Sequence, residues 1–139
     1  MSSVVIPCMR YQNAPQMIDW LCETFGFERH LVVPGENGTI AHCQLRFGTG
    51  MIMVGSIRHD GSAWSCRIKQ PEDFDGCETQ TPYIVVDNVD ELHDRVMAAG
   101  AEILMELTDQ DYGSRDFMCR DPEGHIWSFG TYNPWSSSH

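Results

Sequence analysis

The chain is predicted to be an α+β protein in which two βαβββ modules, residues 3–56 and 81–133, flank a long connection, residues 57–80. Three features predict this. Comparing the chain with itself at an offset of 74 residues aligns its turn signals: Gly26 falls on Gly100, Gly50 on Gly124, and Asn13 on Asp87. Each half holds one helix-period segment closed by glycine. Each half then continues into strand-like runs joined by a tight turn.

In the first module Val4–Tyr11 reads as a strand. Asn13 can cap a helix, with Gln16 supplying the reciprocal half of a capping box. Met17, Leu21 and Phe25, with Ile18 and Cys22 beside them, form the buried stripe, and Gly26 ends the run in the left-handed conformation. Strands follow over 27–33, 39–47 and 51–56, the last two joined through Gly48-Thr49-Gly50. The second module repeats the order. Residues 82–86 form a strand, Asn88 and Glu91 a second capping box, and Val89, Leu92, Val96 and Ala99 the buried face before Gly100. Strands over 102–107, 115–120 and 126–132 complete it, with Asp121-Pro122-Glu123-Gly124 as the hairpin turn. The connection is polar and lacks a period. Long connections in small domains often serve function, so Trp64 within it either packs over the sheet or closes over a cavity.

Composition narrows the function classes. Twenty acidic against nine basic residues leave a net charge of −11, which repels nucleic-acid backbones and anionic membranes. The same surplus either steers cationic ligands or only keeps the protein dispersed. Six cysteines without a CxxC pair and no signal-like N-terminus point to reduced thiols in the cytosol. No apolar run approaches the roughly 18 residues of a membrane span. The six histidines read as incidental surface residues, and His125, at a hairpin turn, is expected to face solvent.

The duplicated architecture, together with Tyr112-Gly113-Ser114-Arg115-Asp116-Phe117 running into Asp121-Pro122-Glu123-Gly124-His125-Ile126-Trp127-Ser128-Phe129, resembles the vicinal-oxygen-chelate superfamily of glyoxalases, bleomycin resistance proteins and extradiol dioxygenases. The resemblance spans nearly the whole chain. It implies two curled sheets around an open cavity, helices on the outer faces, and a homodimer. Fold alone does not choose among the family's metal-using enzymes and metal-free binding proteins.

Strand parity assigns side chains to faces. A two-residue loop at Pro122 and Glu123 sets Arg115 opposite Gly130, Phe117 opposite Ser128 and Cys119 opposite Ile126. Trp127 and Phe129 then face the helix, and the Ser128 face is concave. By the 74-residue offset Cys43 and Val54 take the equivalent places, and the first strands add Met9, Tyr11 and Tyr83. The expected ligand-binding set is therefore Met9, Tyr11, Cys43, Val54, Trp64, Tyr83, Arg115, Phe117 and Ser128. Arg115 either meets a ligand anion or pairs with an acid such as Asp116 or Glu106. Tyr11 and Tyr83 either orient a bound ring or complete a core.

The family's metal ligands, carried onto this chain, fall near Ile6 or Pro7, at Val54, near Thr81 and at Ser128, and a one-residue shift offers Cys8, Met53 and Gln80. Neither set supplies the imidazole and carboxylate donors a catalytic divalent ion needs. His42 and Cys43, adjacent on a strand, point to opposite faces. Cys43, Cys119 and Ser128 lack an evident base, so no catalytic residue is assigned. The expected function is metal-free, cofactor-free binding of a small organic molecule. The alternatives are a metal-dependent glyoxalase-type lyase, isomerase or dioxygenase, and a non-catalytic structural or regulatory dimer.

Overall fold

The computed structural model describes residues 3–136 and divides into two compact units between Gln70 and Pro71. In the first unit β1 (Cys8–Tyr11) leads into α1 (Ala14–Trp20), which continues through one π turn, Leu21–Phe25, to Gly26. The strands β2 (Glu28–Pro34), β3 (Ile40–Phe47) and β4 (Gly50–Ser56) follow. The second unit repeats the order with β5 (Tyr83–Val85), α2 (Val89–Ala98), β6 (Ile103–Asp109), β7 (Arg115–Arg120) and β8 (Ile126–Gly130). Each unit holds a four-stranded mixed sheet, ordered β1-β4-β3-β2 and β5-β8-β7-β6, with the first and last strands of the module parallel. The α+β class and the tandem βαβββ pattern are those the sequence predicts.

The connection is not one loop. Residues 57–70 fold with the first unit, whereas 71–80 fold against the second. Arg120 Nη1 donates to the carbonyls of Gly76 (2.8 Å) and Gly124 (2.9 Å), and Glu78 Oε1 accepts from the Ile126 amide (3.1 Å) and bonds His125 Nδ1 (3.0 Å). His125 is thus buried, contrary to its expected exposure, because the strap covers the hairpin. His93 is also mostly covered, bonded to Glu106 and set edge-on against Phe117. His139 lies outside the described residues.

The repeat does not keep one offset. The N-cap residues are Asn13 and Asn88, 75 positions apart, and the helix-closing glycines are Gly26 (φ 96) and Gly100 (φ 79), 74 apart. The π turn absorbs the difference, since an i→i+5 turn houses one extra residue. Asn13 Oδ1 accepts from the Gln16 amide (3.4 Å) and Asn13 Nδ2 donates to Gln16 Oε1 (2.8 Å). Among the described residues Asn88 makes no such side-chain cap bond, so the second capping box is not formed. Ala99, expected in the buried stripe, is the exposed C-cap of α2; Val89, Leu92 and Val96 form the stripe.

The hairpins restore the offset of 75. Phe47 pairs with Gly50 across a two-residue loop whose first member, Gly48, has φ 58. Asp121 donates its amide to the His125 carbonyl (2.8 Å) around a three-residue loop closed by Gly124 at φ 93. A glycine in that left-handed place is the mark of a bulged hairpin. Asp121 holds it: Oδ1 accepts from the Glu123 and His125 amides (3.0 Å each) and Oδ2 from Trp127 Nε1 (3.0 Å). Gly50 and Gly124 are therefore not equivalent.

The structure separates these two glycines by experiment. Gly124→Ala forces a left-handed alanine whose Cβ lies 3.3 Å from Pro71 Cβ, and should cost about 1–2 kcal/mol in urea unfolding. Gly50→Ala, with no positive φ to satisfy, should cost clearly less. Equal losses would contradict the shifted repeat.

Candidate functional site

Partners on neighbouring strands share a face, so the registers sort each sheet into two sides. In the first unit Met9, Val54, Cys43 and Val32 form one row across the four strands, with Tyr11 and Ser56 beside it. This side faces α1. Tyr11, Cys43, Leu45, Ile52 and Val54 are buried, and Arg29, opposite Leu45, pairs with Asp19 of the helix. The other side carries the row Cys8, Met53, Gln44 and Leu31, and next to it Arg10 opposite Gly55 and Val33 opposite His42. Its side chains are half-buried or exposed, apart from Gly55.

The second unit repeats the division. Phe117 pairs with Phe129 and Cys119 with Trp127, all four buried, and Phe117 stacks on Phe129 at 5.3 Å. The open row is Tyr83, Ser128, Met118 and Met105.

Of the residues expected to line a cavity, Tyr83 and Ser128 stand on an open face. Met9, Tyr11, Cys43, Val54 and Phe117 do not; they belong to the helix-facing sides. The error is one residue. A three-residue second hairpin sets Phe117 opposite Phe129 and not Ser128, and a period-two strand turns that slip into a change of face. Arg115 shares the Phe117 side and bonds Asp90 of α2 (2.9 Å) and Asp109 (3.0 Å), which raise its pKa. It is an ion-pair residue, with acids other than the two expected.

Trp64 packs in the first unit, with the guanidinium carbons of Arg10 and Arg58 each 5.6 Å from its ring centroid. Its loop is set by Asp60, whose carboxylate accepts from the Ser62 amide (3.0 Å), Ser62 Oγ (2.7 Å) and Ser65 Oγ (2.8 Å). Those bonds, Ser62's first, pull the Asp60 pKa down to about 2. In the second unit Tyr83 donates to the Tyr132 carbonyl (2.8 Å), while Asp116 accepts from Tyr112 (2.9 Å) and from Ser114 Oγ. Gly130 is required there, since a Cβ would strike Asp116 Oδ1 and lie 2.6 Å from the Tyr83 hydroxyl. Burial raises the Tyr83 pKa, so this phenol stays neutral at physiological pH.

Arg10, Leu31, Gln44, Met53, Arg58 and Met118 were not in the expected set. The 75-residue spacing of Asn13 and Asn88 was the available signal for Met53, because it equates Ser128 with Met53 and not with Val54; Gln44 and Met118 lie 74 apart and follow the other offset. On each open row the parallel pair is thioether beside thiol, Met53 and Cys8, or hydroxyl beside phenol, Ser128 and Tyr83. These do not fit a hard divalent ion, which takes carboxylate and imidazole donors. Among the described residues no three His, Cys, Asp and Glu side chains gather in metal-binding geometry.

Three consequences can be measured. Arg115→Ala should leave ligand binding unchanged and lower thermal stability only slightly, as for other solvent-exposed ion pairs; a loss of binding would return Arg115 to the site. Burial pushes the Cys43 thiol up to about 11 and the Cys119 thiol to about 12, while Cys8, Cys66 and Cys77 are exposed. Native alkylation read by mass spectrometry should modify the exposed three and spare Cys43 and Cys119. Because the folded-state pKa values are raised, their contribution to stability should be intact below about pH 9 and fall as pH rises toward 11–12.

The model of the Glyoxalase/Bleomycin resistance protein/Dioxygenase superfamily matches residues 4–129. The chain is 30% identical over 126 residues to the uncharacterized protein Mb0911c of Mycobacterium bovis, covering 89% of this chain and 80% of that protein. The structure is similar to TioX from Micromonospora sp. ML1, with 31% identity, a TM-score of 0.71, and coverage of 95% of this chain and 100% of that one. It shares the fold of the fosfomycin resistance protein FosX from Listeria monocytogenes, solved with Mn(II) and sulfate, at 12% identity and a TM-score of 0.63, covering 97% and 96%. This chain belongs to the glyoxalase/bleomycin resistance protein/dioxygenase superfamily.

Proposed function

We propose that the protein binds a small organic molecule against its open sheet faces, without a metal and without turning it over. The observation that carries this reading is the makeup of the two open rows: Cys8, Met53, Gln44 and Leu31, and Tyr83, Ser128, Met118 and Met105. Apolar, polarisable and hydrogen-bonding side chains alternate there, the mixture that holds organic ligands. The positions where the family's enzymes carry metal donors are filled by groups unsuited to a divalent ion. Among the described residues the two thiols with the largest upward pKa shifts, Cys43 and Cys119, lie on the helix-facing sides, where neither can attack a ligand on an open face. The reading places the protein in the cytosol as a homodimer, which fits six free cysteines and no helix, among the described residues, long and apolar enough to cross a membrane.

A thermal-shift screen of small organic compounds tests it. A true ligand at a hundredfold excess over its Kd should stabilise by about 2.7 kcal/mol, bind stoichiometrically in calorimetry, and be recovered chemically intact after prolonged incubation. Conversion of the ligand would overturn the non-catalytic reading, and a screen without any stabilising compound would overturn binding itself. Met53→Glu and Ser128→Glu, which place carboxylates on the open rows, should weaken an uncharged ligand at least tenfold, about 1.4 kcal/mol.

A further inference from the structure

Two cationic side chains converge on one indole in the first unit: Arg10 from the open face of β1 and Arg58 from the segment after β4 both stack on Trp64. Each stacking contact is attractive, but the two like charges oppose one another. Burial, and then the charge of Arg58, lower the Arg10 pKa. The placement of Arg10 is built into the sheet. Gly55, its cross-strand partner, is buried, and a Cβ there would strike Arg10 Nη1, so the guanidinium lies where a side chain on β4 would otherwise stand. Arg10 Nη1 also donates to the Ser56 carbonyl at 3.4 Å.

Space accompanies the charge. Arg10, Arg58, Trp64 and Ser65 wall a niche of about 10 Å³, room for one water-sized atom such as a single ligand oxygen. Ile57 and Arg58 also line an open groove of about 510 Å³ that runs along Gly35, Thr39 and Ala41, within the size range of small-molecule sites. Most of the chain's acidity lies outside this unit, although Glu36 and Asp60 also line the groove. Residues 1–70 hold six Lys and Arg against five Asp and Glu, whereas residues 71–139 hold three against fifteen. Asp60, bonded by Ser62 and Ser65, also interacts with the charges of Arg10 and Arg58 and offsets them in part.

We propose that the first unit recognises an organic oxyanion, its carboxylate or phosphonate seated between Arg10 and Arg58 beside Trp64 and its carbon body in the adjoining groove. Guanidinium groups suit this because they offer directed, charge-assisted N–H donors to planar or tetrahedral oxyanions. The inference rests on the binding reading above and names its ligand class.

The test is a heteronuclear NMR titration, at low salt, with four matched probes: benzoate, phenylphosphonate, benzyl alcohol and benzylammonium. Benzoate or phenylphosphonate should shift the Trp64 indole N–H and bind at least roughly tenfold more tightly than the neutral and cationic probes; which of the two binds better identifies the oxyanion. Arg58→Gln should weaken the anionic probes by about tenfold and leave benzyl alcohol unchanged. Gly55→Ala should do the same, because it displaces only the flexible end of Arg10, and its unaltered amide spectrum elsewhere would show that the fold is kept. Equal binding of neutral and anionic probes, or anion binding untouched by both substitutions, would overturn the inference while leaving small-molecule binding standing. Failure of every probe to shift any resonance at millimolar concentration would overturn both.

Discussion

The burial of one sheet face against one helix, made once in each unit, is the constraint on which the other features depend. Tyr11, Cys43, Leu45, Ile52 and Val54 fill that interface in the first unit, and Phe117, Cys119, Trp127 and Phe129 in the second. Fully burying a large apolar side chain contributes about 1.5–3 kcal/mol. A one-residue slip of β8 past β7 would move Trp127 and Phe129 to the open side together. Register is thereby strongly specified, and with it the identity of every side chain left on the open face. Gln44, Met53, Met118 and Ser128 are left on the open side because their neighbours along each strand are committed to the core.

Much of the fold was legible because its signals are local. Asn13 with Gln16, the stripe of Met17, Leu21 and Phe25, and the glycine stops at Gly26 and Gly100 each state an element within a few residues. The faces were not legible to the same degree, because they depend on counts that two irregularities alter. The π turn at Leu21–Phe25 adds a residue to the first module, and the three-residue loop after Asp121 adds one to the second. These insertions cancel over the whole module, so an offset of 74 aligns the glycines at Gly26 and Gly100 while misplacing the last strand by one. Asp121 shows why the second loop is longer: its carboxylate satisfies two loop amides and the Trp127 indole at once, an arrangement a two-residue turn would not hold.

The charged residues illustrate a different limit. Strand parity through a two-residue loop sets Arg115 on the ligand side, and its partners Asp90 and Asp109 come from elements distant in sequence or across a strand pair. Arg10 drew no notice in a period-two strand, and Arg58 sits in a segment without periodicity. Only folding brings both onto Trp64. Cation stacking of this kind leaves no spacing rule in a sequence, whereas a capping box or a hairpin turn does.

Elemental mass spectrometry on protein purified without an affinity tag or chelator tests the central claim, that the open faces work without a metal, most directly. Metal is expected well below about one equivalent per chain, with an unfolding temperature unmoved by added manganese, nickel or zinc, since specific binding to the folded state would raise it. Roughly one tightly held ion per chain, lost together with activity or stability on chelation, would contradict it.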